Sequence, residues 1–365
     1  MFVPIVAVLL LLDDPSDTLP IDHPAIRYKD AIAVNSISRL NDRIASGELN
    51  LEYDPDHGYL RSLLDHLKIP ISSQVLVFTK TSFQASKISP RIPRAIYHSD
   101  DVFVGWVRGG DVVEIAVTDP QLGVGFYTLD QEQVRKPRIE RRGQECLQCH
   151  VGASTMGVPG LMVRSVVPDR SGMPVFPGPS HLTDHRSPLD RRWGGWYVSG
   201  THGGMKHMGN SYVEKGESAS AFDATAGQNV TNLDTAFTTT PYLAPTSDIV
   251  SLLLLEHRIR VINVLNRVSF EVRIKGQASR QALDIAAQAL RMDDEASWSE
   301  PIKGAGKFSL DYESADPARR QLDLRTRLYR KKKSPMVVSP VFDGLPDGVK
   351  SILRERYSAV NGFKK

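Results

Sequence analysis

The stretch VFVGWVRGGDVVEIAVTDPQLGVGFYTL, residues 102–129, contains three apolar runs separated by turn residues. Gly109-Gly110-Asp111 lies between the first two runs, and such a sequence is typical of a hairpin. A further apolar run, residues 75–78, comes before the stretch. We therefore predict an antiparallel sheet over residues 74–130. The three runs within the stretch are residues 102–107, 112–117 and 125–129.

Apolar residues recur at helical spacing on both sides of this sheet. Thr246 or Ser247 can cap the longest predicted helix, with Asp248 in its first turn, and Gly276 can end it. Because the helices are segregated from a central sheet, the expected fold class is α+β. The predicted helices cover about residues 31–44, 59–67, 246–275, 278–291 and 347–360.

The pattern divides the chain into four consecutive regions. Residues 131–245 are rich in Gly, Pro, Ser and Thr but also hold both cysteines and five histidines, so we expect a functional, loop-rich region. The helical region at the carboxyl end is expected to pack with the rest as one or two domains. The four are a signal segment at 1–19, a helical lead-in with the sheet at 20–130, the loop-rich region at 131–245 and a helical region at 246–365.

Composition excludes several classes of protein. The 365 residues carry 45 basic and 42 acidic side chains, so the net charge of +3 does not indicate nucleic-acid binding. No apolar run reaches the roughly 18 residues that an integral membrane helix needs. Two cysteines are too few for a disulfide-rich scaffold or a four-cysteine zinc site.

Both cysteines belong to one motif, Cys146-Leu147-Gln148-Cys149-His150. Two cysteines three residues apart on a helical turn project their sulfurs to the same side, where they can form thioethers with the two vinyl groups of one haem. The adjacent His150 is then the proximal iron ligand. Chance would produce this pattern on the order of once in seven thousand such chains, given two cysteines. We therefore expect one covalent haem c.

Three other interpretations of the cysteines remain. A thioredoxin-like pair requires a βαβ unit around it, and the sequence shows none here. A zinc site would need further ligands, which can only be histidines or carboxylates. A disulfide across so short a loop would be strained. Only haem attachment also explains His150.

The first residues favour export. Residues 2–12, FVPIVAVLLLL, resemble the apolar part of a secretory signal. No Lys or Arg precedes them and no clear small-x-small cleavage site follows, so a buried strand or helix is the alternative. Attachment of haem c takes place outside the cytoplasm in bacteria. The motif and the apolar segment together therefore predict a periplasmic or otherwise exported protein.

The sixth iron ligand is expected in the segment THGGMKHMGN, residues 201–210. We predict that His207 is the second metal ligand, with Met208 and His202 as alternatives within the segment. His257 is a further alternative, although its apolar helix face favours a neutral core histidine with a hydrogen-bond partner.

Four stretches of the chain resemble an uncharacterised family of exported bacterial proteins with a single c-type haem motif. The resemblance implies covalent haem at Cys146, Cys149 and His150, and export, but no settled activity. The stretches are residues 72–110, 145–166, 192–210 and 247–267.

These observations support two main hypotheses for function. The preferred one is a cytochrome-like protein that passes electrons to an unidentified redox partner protein, with no catalytic residue required. The alternative is a haem-dependent oxidoreductase, peroxidase-like or acting on another small molecule, with an open or displaceable sixth position. A haem-based sensor is a third possibility, and the coordination state of the iron distinguishes them.

Overall fold

The computed structural model of the protein describes residues 17–358. The predicted signal segment at 1–19 therefore lies almost entirely outside the described residues. The last two residues of the helix predicted to reach residue 360 also lie outside them.

The strands of the described residues are β1 Val75–Val77, β2 Arg94–His98, β3 Val102–Trp106, β4 Val112–Asp119, β5 Gly123–Asp130, β6 Ile139–Arg142, β7 Val163–Val166, β8 Ser180–Thr183, β9 Trp196–Tyr197, β10 Gly200–Thr201 and β11 Lys303–Gly304. Seven of them form one antiparallel sheet in the order β6-β5-β4-β3-β2-β1-β9. The predicted runs at 75–78, 102–107, 112–117 and 125–129 correspond to β1, β3, β4 and β5. Two small two-stranded sheets, β7-β8 and β10-β11, account for the remaining strands.

Eight α-helices accompany the sheet within residues 17–358, and five of them follow it in the second half of the chain. This arrangement confirms the α+β class. All five predicted helices are present, although the first begins only after its cap at Asn35. The helices are α1 Ser36–Ser46, α2 Leu60–His66, α3 Gln144–His150, α4 Ile249–Lys275, α5 Arg280–Arg291, α6 Phe308–Ala315, α7 Pro340–Asp343 and α8 Asp347–Ser358.

The longest helix, α4, differs from its prediction at the amino end. The cap is Asp248, not Thr246 or Ser247, and its side chain accepts a hydrogen bond from the backbone N–H of Val250. The carboxyl end is confirmed, because Gly276 adopts the left-handed conformation with φ of 79°. Every residue from 249 to 271 is buried, so α4 runs through the interior of the protein.

The two faces of the sheet belong to different apolar clusters. Alternate side chains such as Val77, Phe103 and Phe126 join a cluster that includes α4. Their neighbours, such as Leu76 and Val104, join a second cluster that includes α1 and α2. This alternation is the period-2 pattern of a sheet buried on both sides. Within the described residues, we find no helix that is both long and apolar enough to span a bilayer.

Candidate functional site

A cavity of about 730 Å³ lies between the sheet and α4. Its volume falls within the range of roughly 300–1,000 Å³ that is usual for small-molecule and cofactor sites. Much of its wall is apolar, and both secondary-structure layers contribute. The apolar wall residues include Val77, Ile96, Phe103, Ala116 and Phe126 of the sheet and Leu255 and Ile259 of α4.

The short helix α3 brings both predicted attachment residues to this cavity. It follows directly from β6, the strand at one edge of the sheet, so its position is set by the β5–β6 pairing. Cys146 is half-buried and Cys149 is exposed, and both are free and line the cavity. The structure therefore places the two sulfurs on one side of a single helical turn, as the spacing predicts.

His150 lines the same cavity, and hydrogen bonds with Gly160 hold it in place. Its Nδ1 lies 2.9 Å from the carbonyl oxygen of Gly160, and the backbone N–H of Gly160 donates to the carbonyl of His150 at 3.0 Å. The ring also packs against Phe126, with 4.7 Å between centroids. A proton on Nδ1 that is donated to Gly160 leaves the Nε2 lone pair available to a metal, the usual second-shell arrangement of a ligating histidine.

The electrostatics of the site favour the neutral forms of the His150 imidazole and the Cys146 thiol. Burial lowers the pKa of His150, so its imidazole stays unprotonated near neutral pH. Burial, reinforced by the negative charges of Glu145 and Glu114, raises the pKa of the Cys146 thiol to about 11. Reactive and metal-binding thiolates need a depressed pKa, so these surroundings do not favour a thioredoxin-like redox pair.

The loop that supports His150 is fixed to α4. Asn263 accepts a hydrogen bond from the backbone N–H of Leu161 at 3.0 Å and donates to its carbonyl at 2.7 Å. Thr155 bridges the loop further by donating to the carbonyl of Val158 at 2.8 Å. Sequence reasoning missed Gly160 and Asn263. The available signal for Asn263 was its polar side chain within a helix that is otherwise rich in large apolar residues.

The structure does not bring His207 to the cavity. His207 is buried against Trp193 and His202, with ring centroids 5.6 and 4.8 Å away. Met208 lies beside this cluster, where its sulfur accepts a hydrogen bond from Ser165. None of the three predicted ligands from the segment is among the cavity-lining residues. The assignment of His207 as an iron ligand therefore remains a prediction without support from its position.

His257 occupies the buried position that its apolar helix face indicated. Its Nδ1 lies 2.9 Å from Nδ1 of His185, and its Nε2 lies 2.7 Å from the hydroxyl of Ser334. His185 in turn contacts Asp294 at 3.0 Å. These contacts satisfy His257 as a core histidine on the side of α4 away from Leu255 and Ile259, which face the cavity.

The residues around the cavity fit a covalently attached haem. They provide two thiols on one helical turn, an imidazole with one nitrogen held and the other available, and an apolar volume of suitable size. Among residues 17–358, no cluster of three or more His, Cys, Asp or Glu side chains is arranged to hold a metal ion by itself.

A comparison of the chain with family models, with curated proteins and with solved structures found no match.

Proposed function

We propose that the protein is an exported, c-type cytochrome-like protein that binds one haem covalently and transfers electrons. The observation that carries this proposal is that Cys146, Cys149 and His150 all line one cavity of cofactor size. A motif that matched by chance would have no reason to face such a cavity.

Attachment requires only the two thiols. Each thiol would add across one vinyl group, so an S–H bond and a C–C π bond would break while a C–S and a C–H bond would form. Nothing leaves and no oxidant is consumed. Because Cys149 is exposed and Cys146 half-buried, the attachment side of the cavity is open to the machinery that performs this step.

The surrounding residues orient and insulate the site. When bound, the haem supplies an iron that accepts and releases one electron. Gly160 holds Nδ1 of His150, so Nε2 is the nitrogen that would bind the iron. The apolar side chains of the sheet and α4 exclude water from the interior wall, and exposed Cys149 places the attachment point where a redox partner protein can approach.

A haem-dependent redox enzyme is the second candidate, and one observation favours it. Beyond the motif itself, Met162 is the sole Met, His or Cys among the described residues that line the cavity. A site with so few strong ligands suits an open or displaceable sixth position, where a small molecule can bind.

The test is expression with a haem-attachment system and purification from the periplasm. We expect haem to stay with the polypeptide after denaturation and acid-acetone extraction, and the double variant C146A/C149A to lose it. A low-spin spectrum supports electron transfer, whereas a high-spin spectrum that shifts with cyanide or carbon monoxide supports the enzyme. Colourless wild-type protein would overturn the proposal.

A further inference from the structure

The side chain of Arg94 lies along the cavity wall and spans a neighbouring strand of the sheet. It lies on β2, and its guanidinium reaches over β3 to Glu114 on β4, with 2.5 Å between Nη2 and Oε2. The residue beneath it on β3 is Gly105, where a Cβ atom would lie 2.2 Å from Nη2 of Arg94. The absence of a side chain at Gly105 therefore makes room for the arginine.

Glu114 is itself held in place. Its second oxygen, Oε1, accepts a hydrogen bond from Gln84 at 3.1 Å, and Gln84 also donates to the carbonyl of Val112 at 3.0 Å. The side chains of Arg94 and Glu114 are 19% and 16% exposed, so both are largely removed from solvent. The arginine is thus positioned firmly on a preformed surface of the cavity.

This arrangement leaves the buried Nε–H of Arg94 unused. Its Nε is buried and has no hydrogen-bond partner within residues 17–358. The other two cavity arginines are engaged differently: Nε of Arg142 donates to Thr128 at 2.7 Å, and the exposed Arg164 donates to Ser180 at 3.0 Å. A buried N–H without a partner destabilises the protein, so a ligand that accepts a hydrogen bond from it removes that penalty.

The charges on the cavity wall also favour an anion. Arg94, Arg142 and Arg164 outnumber Glu114 and Glu145 by one positive charge among the lining residues. Arg94 lines the same cavity as the attachment motif, so it can contact a group that is bound there.

We propose that Arg94 is the oxyanion-binding residue of the cavity, with its Nε–H donating to a carboxylate oxygen. The carboxylate can come from two sources. One is a propionate of the attached haem, and for this source the inference rests on the proposed function. The other source is a small free carboxylate that enters the cavity, which formate can represent.

The experiment compares wild type with R94Q and with the control variant R164Q, which also removes one cavity charge. For a propionate, R94Q raises the pH at which the reduction potential changes, while R164Q leaves it in place. For a free carboxylate, R94Q weakens formate binding, read from the haem spectrum, by about tenfold or more. If R94Q matches R164Q in both measurements, the inference is overturned.

The variant Gly105→Ala tests the same inference while it keeps the charge of Arg94. The added methyl displaces the flexible end of the arginine, so we expect the same defect as in R94Q with little loss of folding. If the protein proves colourless, the proposed function fails separately. Calorimetric titration of that protein with formate then decides: binding that R94Q abolishes supports the inference, and no binding in wild type overturns it.

Discussion

The Nδ1 atom of His150 and the carbonyl oxygen of Gly160 lie 2.9 Å apart, and a second hydrogen bond joins the backbones of the same two residues. This double contact closes the loop that follows the motif and holds the imidazole of His150, a cavity-lining residue, at its Nδ1 atom. A carbonyl partner on one ring nitrogen selects the tautomer that can bind a metal through the other.

We expect Gly160→Ala to destabilise the protein. A Cβ at this position would lie 2.4 Å from Oδ1 of Asn263, which is already bound to Leu161 and cannot move freely. Overpacking of this kind costs about 1–3 kcal/mol in the free energy of unfolding, measured by urea denaturation. Gly152→Ala in the same loop is the control, because nothing lies within 4 Å of its Cβ. Equal stability of the two variants would contradict the prediction.

We expect His207→Gln to leave the absorption spectrum of the haem-loaded protein unchanged in both oxidation states. His207 packs against Trp193 and His202 rather than lining the cavity, so its loss removes no group that faces the bound cofactor. A change from a low-spin to a high-spin spectrum in this variant would restore His207 as the sixth ligand. Met162→Ala, which alters a cavity-lining residue, is the informative comparison.

The parts of the fold that follow local patterns could be predicted. Residues 102–107 and 112–117 are apolar runs separated by a glycine-containing turn, and they form β3 and β4. The strand β2 was missed because it begins with Arg94 and ends with His98, which obscure its apolar residues. The two-residue strand β9 exists only through its pairing with β1, more than 100 residues earlier in the chain.

The candidate site also combines residues that a local motif predicts with residues that only tertiary contacts bring there. Cys146, Cys149 and His150 form one contiguous motif, so the sequence shows them directly. Asn263 reaches its partner Leu161 across 102 positions, and no local pattern links the two residues. The segment containing His207 has many ligand types close together, but the structure places it against Trp193 because tertiary packing decides which side chains face the cavity.

Stability should fall with acid in the range below pH 6.5. Burial lowers the pKa of His207 to about 3 and places those of His98 and His257 well below the usual value of 6.5. Between about pH 6.5 and 3, the unfolded chain therefore binds protons that the folded protein does not, so the free energy of unfolding decreases as pH falls. Each such histidine lowers the free energy of unfolding by about 2 kcal/mol between pH 7.5 and pH 5.

Urea denaturation at pH 5, 6 and 7.5 measures this effect. We expect His207→Gln to reduce the slope of stability against pH by about one proton, roughly 1.4 kcal/mol per pH unit below pH 6.5. His66 is exposed, and His66→Gln is the matched variant that also replaces one histidine. A His207→Gln slope parallel to that of wild type would contradict the assignment of a neutral, buried His207.

The buried ion pair between Arg192 and Glu256 gives the last prediction. Nη1 and Oε2 are 2.7 Å apart, and the two side chains are 2% and 0% exposed. Glu256→Gln leaves the guanidinium buried without its counter-charge, so we expect a loss of about 3–5 kcal/mol in the free energy of unfolding. Arg170 and Glu214 form a control pair at 2.8 Å with both side chains more than half exposed. Because solvent screens that pair, Glu214→Gln should cost less than about 1 kcal/mol, and equal losses in the two variants would refute the argument.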